Sequence, residues 1–207
     1  MIGESEKETR PMYFDSAFRF IGAVDPQPLV QAIDSFGEPA WHEYAVRQEL
    51  FEPHRHTHTI PLLFDLDGRH ENPTPWPRLA QITSSLEPAL QAIREKNLSD
   101  DGLGRDGYFI RIILTRLKPG SNIEPHRDGG YSMLRSHRYH LALTTNNLVE
   151  FEIAGETQHF AAGEIWEINN REQHAVRNLS DESRIHVILD YVVPGERIHD
   201  PDGLVIA

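Results

Sequence analysis

The sequence predicts a mainly β fold of the α+β class, in which two helices precede an antiparallel sandwich or barrel of seven or eight strands. Apolar residues at helical spacing occur in the first half of the chain, so we expect the helices to come first. After Gly107, short runs rich in β-branched and aromatic residues recur about every ten residues. No helical pattern separates these runs, which indicates antiparallel strands with the helices packed outside.

The first half of the chain contains two helical patterns and one strand-like run. The first helix begins near Pro26 and carries apolar residues at three- and four-residue steps. Residues 57–64 are typical of a strand, and residues 65–77, with three prolines and a glycine, indicate a loop. Residues 77–96 form the clearest helix, although Pro88 lies inside it, where proline kinks or ends a helix.

The second half of the chain reads as strands joined by turns. The first strand covers residues 108–117 and ends at a turn made by Lys118, Pro119 and Gly120. The other predicted strands cover residues 139–145, 148–153, 157–160, 163–168, 174–178 and 184–193.

Length and composition indicate one globular domain. The chain has 207 residues, 39% hydrophobic and 25% charged, which is enough for a single hydrophobic core. We predict that residues 1–11 are disordered, that residues 12–105 form a helical support region and that residues 106–193 form the β core. The first residues are too polar for a signal peptide and no apolar run approaches the roughly 18 residues of a membrane span, so we expect a cytoplasmic protein without a membrane partner.

Charge and residue usage exclude several classes of function. The net charge is −12, and an acidic surface repels phosphate backbones, so we expect no nucleic-acid partner. The chain contains no cysteine, which excludes disulfides, thiolate metal sites and cysteine nucleophiles. Its 12 histidines, together with carboxylates, suit iron, manganese or zinc.

One His-x-Asp pair and one distant histidine predict a mononuclear iron site. His126 and Asp128 are two residues apart, so alternation along a strand would place both on one side. His174 would approach from a neighbouring strand. Two histidines and a carboxylate on one face of Fe(II) leave the other face open for a cosubstrate and O₂. We therefore predict that His126, Asp128 and His174 bind the metal and form the catalytic centre.

Three further residues predict a site for a dicarboxylate cosubstrate, which would chelate iron at one end and need a fixed cation at the other. Arg184 opens an otherwise apolar strand ten residues after His174. Its planar guanidinium can bind a carboxylate bidentately and stays charged when buried. Arg138 and His140 share one face of an earlier strand, and we expect both to point inward near the iron.

Four segments and one arginine of the β region carry a family resemblance. They are LKPGSNIEPH at 117–126, RYHL at 138–141, GEIW at 163–166, HAVRN at 174–178 and Arg184. Together they resemble the aspartyl/asparaginyl β-hydroxylase family, which includes free L-proline cis-hydroxylases. The resemblance covers about residues 105–193 and extends weakly to residues 40–66.

That resemblance implies a double-stranded β-helix, a jelly-roll core similar to that of cupins. It also implies an Fe(II)- and 2-oxoglutarate-dependent dioxygenase that hydroxylates an Asp-, Asn- or Pro-like amino acid or residue and releases succinate and CO₂. By the same resemblance His126 and His174 are iron ligands, and Arg184 binds the distal carboxylate of 2-oxoglutarate. Arg138 and His140 would line the cosubstrate pocket.

The substrate and one rival function stay open. The animal peptidyl-aspartyl enzymes of that family lack a carboxylate ligand where this chain has Asp128, which argues against a protein substrate. Free amino acids, peptides and small acidic metabolites remain candidates, and Arg127, Arg135 or Arg138 could bind a substrate carboxylate.

A second histidine cluster and a rival function are also weighed. We interpret the histidine-rich segment at residues 54–58 as an edge near the mouth of the site in preference to a second metal site, and Arg55 or His56 could contact the substrate. The rival is a non-catalytic, cupin-like metal- or ligand-binding protein, against which Arg184 argues.

Overall fold

The computed structural model describes residues 16–50, 52–101 and 106–196; the segment predicted to be disordered, residues 1–11, lies outside them. Within these ranges the helices are α1 (Gln27–Asp34), α2 (Val46–Leu50) and α3 (Pro77–Asp101). The strands are β1 (Phe18–Ala23), β2 (Thr57–Phe64), β3 (Thr74–Pro75), β4 (Tyr108–Leu117), β5 (Asn122–His126), β6 (His137–Thr144), β7 (Val149–Ile153), β8 (Glu156–Gln158), β9 (Glu164–Ile168), β10 (His174–Asn178) and β11 (Arg184–Val192).

The strands form two antiparallel sheets rather than one closed barrel. The larger sheet has the order β1-β9-β6-β11-β4-β2-β3, and the smaller has the order β5-β10-β7-β8. The mainly β, jelly-roll class predicted from the sequence is confirmed. The predicted strand ranges did not include β1, the very short β3 or β5, although His126, which ends β5, was expected on a strand. β1 pairs with β9 across a register shift between Phe20 and Gly22, and this irregularity removes the regular alternation by which a strand is recognised.

Helices α1 and α3 cover the outer face of the larger sheet, as expected. One continuous core joins their buried apolar side chains to those of β6 and β11; it includes Leu29, Ile33, Ile82, Leu86, Ile93, Tyr139, Leu141, Val187 and Leu189. Helix α3 continues through Pro88 and is five residues longer than predicted, ending at Asp101. Pro88 is exposed, so the missing backbone hydrogen bond faces water and costs less than it would in the core. No helix in the described ranges is long and apolar enough to cross a membrane; the cytoplasmic location stays a prediction.

A second core fills the space between the two sheets. It joins Leu117, Ala142 and Ile168 of the larger sheet to Ile123, Phe151 and Val176 of the smaller one. Because side chains alternate along a strand, the inner positions of β6 and β11 are the even-numbered residues. These positions hold Arg138, His140, Arg184, His186 and Asp190, all of them buried. The inner face of the larger sheet therefore carries the polar groups that an active site needs.

A buried ion cluster on the outer face links the sheet to the last described residues. His137 Nδ1 lies 2.6 Å from Glu167 Oε1, and His137 Nε2 lies 2.7 Å from Glu196 Oε2, while Arg19 contacts the other oxygen of Glu167. Both ring nitrogens face carboxylates, so His137 is an imidazolium. Burial lowers the pKa of His137, but Glu167 and Glu196 outweigh that effect and raise it to about 9.

We expect this cluster to make the fold less stable in alkali. The folded-state pKa of His137 lies above its ordinary value of 6.5. The stability that protonated His137 gives the fold is therefore fully present below pH 6.5 and is lost as the pH rises through the folded-state pKa. A shift of this size corresponds to about 3 kcal/mol of unfolding free energy. Urea unfolding at several pH values between 6 and 10 should show this decline for the unmodified protein and a much flatter dependence for His137→Gln. Equal slopes for both proteins would contradict the assignment.

Candidate active site

The three predicted iron ligands lie together on the smaller sheet and the segment beside it. His126 ends β5, His174 begins β10, and the two residues are opposite each other in the strand pair. Their ring centroids are 4.3 Å apart. Asp128 places one carboxylate oxygen 4.0 Å from His126 Nε2 and the other 3.6 Å from His174 Nε2. In the part of the chain that the structure describes, this is the one group of at least three possible ligand residues whose donor atoms all lie within 4.8 Å of one another.

Asp128 reaches this group by a different route from the one the sequence suggested. Strand β5 ends at His126, so alternation along a strand does not place the carboxylate. Instead, the Asp128 N–H donates to the carbonyl oxygen of Asn170 at 3.3 Å, in the segment between β9 and β10. The expected proximity of His126 and Asp128 is present, but a loop-to-loop hydrogen bond produces it.

Both histidines present the same ring nitrogen to the site. His126 Nδ1 lies 2.8 Å from the Glu124 carbonyl oxygen, and His174 Nδ1 lies 3.0 Å from that of Glu172. A carbonyl oxygen only accepts, so Nδ1 carries the proton in each neutral ring and Nε2 keeps its lone pair for a metal. Burial lowers the pKa of His126, and the neighbouring His174 lowers it further. The neutral form that a metal requires is therefore favoured.

An inner cavity extends from the two histidines to Arg184, between the sheets. Arg184 is 1% exposed, its Nη1 donates to the Thr115 hydroxyl at 3.3 Å, and its guanidinium carbon lies 5.1 Å from the centre of the Phe151 ring. None of the described residues that line the cavity is acidic. A buried cation at one end and three metal ligands near the other suit a dicarboxylate that chelates the metal.

Polar atoms along the cavity also fit 2-oxoglutarate. His140 Nδ1 and Thr57 Oγ1 are buried without a hydrogen-bond partner among the described residues. Burial lowers the pKa of His140 well below its usual value, and Arg184 adds to the effect, so this ring is neutral. A neutral imidazole and a hydroxyl can each donate to a carboxylate, which would satisfy both atoms. The residues present thus could hold the cosubstrate in the way predicted for Arg184 and His140.

Arg138 lines the same cavity, but its guanidinium is engaged by protein carboxylates. Its Nε and Nη2 donate to the two oxygens of Asp190 at 2.8 and 2.9 Å, and its Nη1 donates to Asp128 Oδ2 at 2.5 Å. Burial lowers the pKa of Arg138, but Asp128 and Asp190 outweigh it and raise this pKa. The contacts that the structure gives this guanidinium are to Asp128 and Asp190, and a role of Arg138 in binding the cosubstrate or a substrate carboxylate stays a prediction.

An outer cleft of about 590 Å³ reaches the metal ligands from the surface. The residues that line it include the metal ligands His126 and Asp128, together with Tyr44, Phe64, Leu66, Arg127, Met133 and Arg138. His54 lines both the cleft and the inner cavity, and its ring meets that of His126 edge to face with centroids 5.0 Å apart. The metal site therefore lies where two cavities meet.

The other residues singled out in the sequence differ in whether they line the site. Arg127 lines the outer cleft, whereas Arg135 packs on the Tyr131 ring at 3.7 Å and is not among the residues of the cleft. His56 Nε2 accepts a hydrogen bond from Arg55 at 3.0 Å, and His58 Nδ1 lies 3.2 Å from the Trp41 carbonyl oxygen. Neither histidine belongs to the metal-ligand group.

Sequence reasoning missed His54 and Asp190 as parts of the site. His54 was considered only as a member of a histidine-rich segment. Asp190 had a usable signal, because it follows Arg184 by six residues and so lies on the same face of a strand whose other residues, apart from His186, are apolar. A buried acid in that position needs a cationic partner, and Arg138 provides it.

The family profile described as aspartyl/asparaginyl beta-hydroxylase matches residues 42–194. This range includes the metal-ligand group, Arg184 and both walls of the inner cavity. No curated protein sequence is significantly similar to the chain.

Several solved structures share the fold. An oxidoreductase of the 2OG-Fe(II) oxygenase family from Burkholderia pseudomallei is 17% identical, with 66% of each chain covered and a TM-score of 0.54. The viral collagen prolyl hydroxylase of Paramecium Bursaria Chlorella virus-1, as its 2OG complex, is 11% identical, with 86% of this chain and 97% of that chain covered and a TM-score of 0.54. The nickel complex of a non-heme monooxygenase, ThoJ, is 17% identical, covers 86% of this chain and 74% of that chain, and has a TM-score of 0.53.

At these identities the solved structures show the fold, and the family profile shows the relationship. The profile spans most of the chain and contains the residues whose geometry suits Fe(II) and 2-oxoglutarate. The chain belongs to the aspartyl/asparaginyl β-hydroxylase family and is, as a member, an Fe(II)- and 2-oxoglutarate-dependent oxygenase.

Proposed function

We propose that this enzyme hydroxylates an unactivated C–H bond of an amino acid or amino-acid residue of the aspartate, asparagine or proline type. The observation that carries the proposal is the meeting of two cavities at His126. The inner cavity ends at Arg184 and would hold 2-oxoglutarate, and the outer cleft would hold the substrate. His126, Asp128 and His174 would hold Fe(II) between them.

The residues that line the inner cavity would bind the cosubstrate and shield it from water. When bound, Fe(II) with 2-oxoglutarate activates O₂ and supplies the oxidising equivalents for hydroxylation, with succinate and CO₂ as co-products. Arg184 would neutralise the distal carboxylate, and the neutral His140 would donate a hydrogen bond to the same ligand. Phe151, Ile188 and Val176 line the inner cavity with apolar surface, which would exclude water from the bound cosubstrate.

Residues of the outer cleft support a substrate with amino-acid character. Arg127 lies in the cleft wall next to Asp128 and could bind a substrate carboxylate. Tyr44, Phe64 and Met133 add apolar surface for the remainder of the molecule. The cleft volume of about 590 Å³ lies within the range of roughly 300–1,000 Å³ found for pockets that bind drug-sized molecules. It exceeds the volume that a single free amino acid needs. The cleft therefore favours a residue within a peptide or a larger amino-acid derivative.

A substrate panel tests the proposal. Purified protein with Fe(II), ascorbate and 2-oxoglutarate would be incubated with aspartate, asparagine and proline, each free and within a short blocked peptide. We expect one member to stimulate succinate formation and to gain one oxygen atom, as read by NMR and mass spectrometry. We also expect the peptide form to exceed the free amino acid by at least about tenfold in kcat/KM, the size of effect that about 1.4 kcal/mol of added binding produces.

The control is His174→Ala, which should give neither product. If no member of a broad panel couples succinate formation to its own oxidation, the proposed substrate class is wrong. A free amino acid turned over faster than its peptide would overturn the preference for larger substrates alone.

A further inference from the structure

Asp190 is buried and contacts Arg138, which in turn contacts the metal ligand Asp128. The proposed function gives Asp190 no role. It lies on β11 opposite Arg138 on β6 and is 0% exposed. Its two carboxylate oxygens accept from Nε and Nη2 of Arg138 at 2.8 and 2.9 Å. Two parallel hydrogen bonds of this kind set the plane and the direction of a guanidinium. The backbones of both residues are fixed in the central strands of the larger sheet.

The third contact of the same guanidinium reaches the metal carboxylate. Arg138 Nη1 donates to Asp128 Oδ2 at 2.5 Å. Asp128 follows the end of β5 and therefore has no strand ladder to position its side chain. The other carboxylate oxygen lies 4.0 Å from His126 Nε2. Arg138 thus holds the oxygen of Asp128 that lies 3.6 Å from His174 Nε2, while the other oxygen is the one near His126.

The charges explain why both acids are required. Arg138 is 4% exposed, and a guanidinium this deeply buried needs compensating carboxylates. Were Asp128 its only partner, a single hydrogen bond would not fix the orientation of the guanidinium. Asp190 supplies the bidentate contact, and Asp128 is then held at the remaining nitrogen.

We propose that Asp190 is a positioning residue for the metal site: it orients Arg138, which holds Asp128 so that its carboxylate faces His126 and His174. The proposal rests on the proposed function only in taking Asp128 as a metal ligand. It assigns Arg138 to the metal carboxylate rather than to the cosubstrate.

A neighbouring ion pair supplies a matched control. Arg111 contacts both oxygens of Asp65, one of them at 2.9 Å, and Asp65 is 1% exposed. Arg111 and Arg138 also donate to the same Met133 sulphur, at 3.3 and 2.9 Å. Asp65→Asn and Asp190→Asn therefore remove the same charge from two buried acids that each pair with an arginine, Arg111 being the more exposed of the two arginines. Only Asp190 is linked to Asp128 through its arginine.

The experiment measures the affinity for Co(II) by calorimetry and the Co(II) absorption bands, without any turnover. For Asp190→Asn we expect an affinity roughly 10- to 100-fold weaker, the usual cost of losing a group that orients a ligand, and altered Co(II) bands. Asp65→Asn should match the unmodified protein in both. Equal affinity for Asp190→Asn and the unmodified protein would overturn the proposal while leaving the proposed function intact. Absence of metal binding by the unmodified protein would overturn both.

A second variant separates positioning from folding. Replacing a buried ion pair by apolar residues of similar size is often neutral or stabilising. Arg138→Met combined with Asp190→Leu should therefore melt at or above the temperature of Asp190→Asn, and yet its Co(II) affinity should stay low. If the affinity returned together with the stability, Asp190 would have only a structural role and the proposal would be wrong.

Discussion

Alanine in place of His174 is expected to abolish binding of Fe(II) and, with it, all 2-oxoglutarate turnover. His174 supplies one of three donor groups whose atoms lie within 4.8 Å of one another, and its Nδ1 is already directed at a backbone carbonyl. With a single histidine and a carboxylate left, the loss should exceed the roughly 10- to 100-fold that outer groups contribute to metal affinity.

The readout for this variant is stabilisation by metal. A ligand at a hundred times its Kd raises the unfolding free energy by about 2.7 kcal/mol. For a domain of this size, that stabilisation corresponds to a rise in Tm of roughly 5–10 °C. We expect Co(II) or Mn(II) to raise the Tm of the unmodified protein by this amount and to leave that of His174→Ala unchanged. Because each protein is compared with itself, any loss of intrinsic stability cancels.

The matched control is His42→Ala. His42 is exposed, contacts Glu38 at 3.0 Å, and lies outside the metal-ligand group. It should respond to metal like the unmodified protein. A metal-induced rise in Tm that survives in His174→Ala would remove His174 from the site.

Methionine in place of Arg184 is expected to weaken 2-oxoglutarate binding while leaving metal binding in place. Arg184 is the buried cation at the inner end of a cavity without acidic lining residues in the described chain. Removing one partner of a buried, hydrogen-bonded charge pair costs about 2–5 kcal/mol. The affinity should therefore fall by roughly 30-fold to several thousand-fold. Titration of the protein loaded with Co(II) measures the change directly.

Two further variants test whether the loss of affinity is specific to Arg184 and to its planar guanidinium. Arg184→Lys keeps a charge but loses the planar fork, so its affinity should lie between those of the unmodified protein and Arg184→Met. Arg177→Met removes an exposed arginine whose partner is Glu152 at 2.8 Å, and it should bind 2-oxoglutarate normally. If Arg184→Met bound 2-oxoglutarate as tightly as Arg177→Met does, the distal carboxylate would have to bind elsewhere.

The elements whose bounds local pattern predicts well include short runs rich in apolar residues that turn or loop residues delimit. The bounds of β2, β4 and β10 agree with the sequence prediction, although most of their positions are buried and their burial does not alternate regularly. α3 was predicted too short because the sequence pattern stops being periodic near Lys96, while the helix continues to Asp101. β1 was missed because its pairing with β9 contains an irregularity, and only the partner strand shows that it is a strand.

The amino-acid sequence alone identifies the residues that could carry the chemistry. The types of donor group and their order along the chain follow from the His-x-Asp pair, from the distant His174 and from Arg184 ten residues later. Strand parity then predicts the inward faces of β6 and β11, because alternation is a local property of the backbone. The candidate metal ligands and the candidate cosubstrate arginine therefore needed no tertiary information.

The partner that each of these groups contacts depends on the tertiary fold. Asp128 joins the histidines through a hydrogen bond to Asn170 rather than through strand alternation. Arg138 faces inward as parity requires, yet Asp190, 52 residues away in the chain, accepts hydrogen bonds from two of its three guanidinium nitrogens. The physical reason is that hydrogen bonds and ion pairs depend on distances between strands that are neighbours in the sheet but remote in sequence. Local patterns say which way a side chain points, and the packing of the two sheets sets what it meets there.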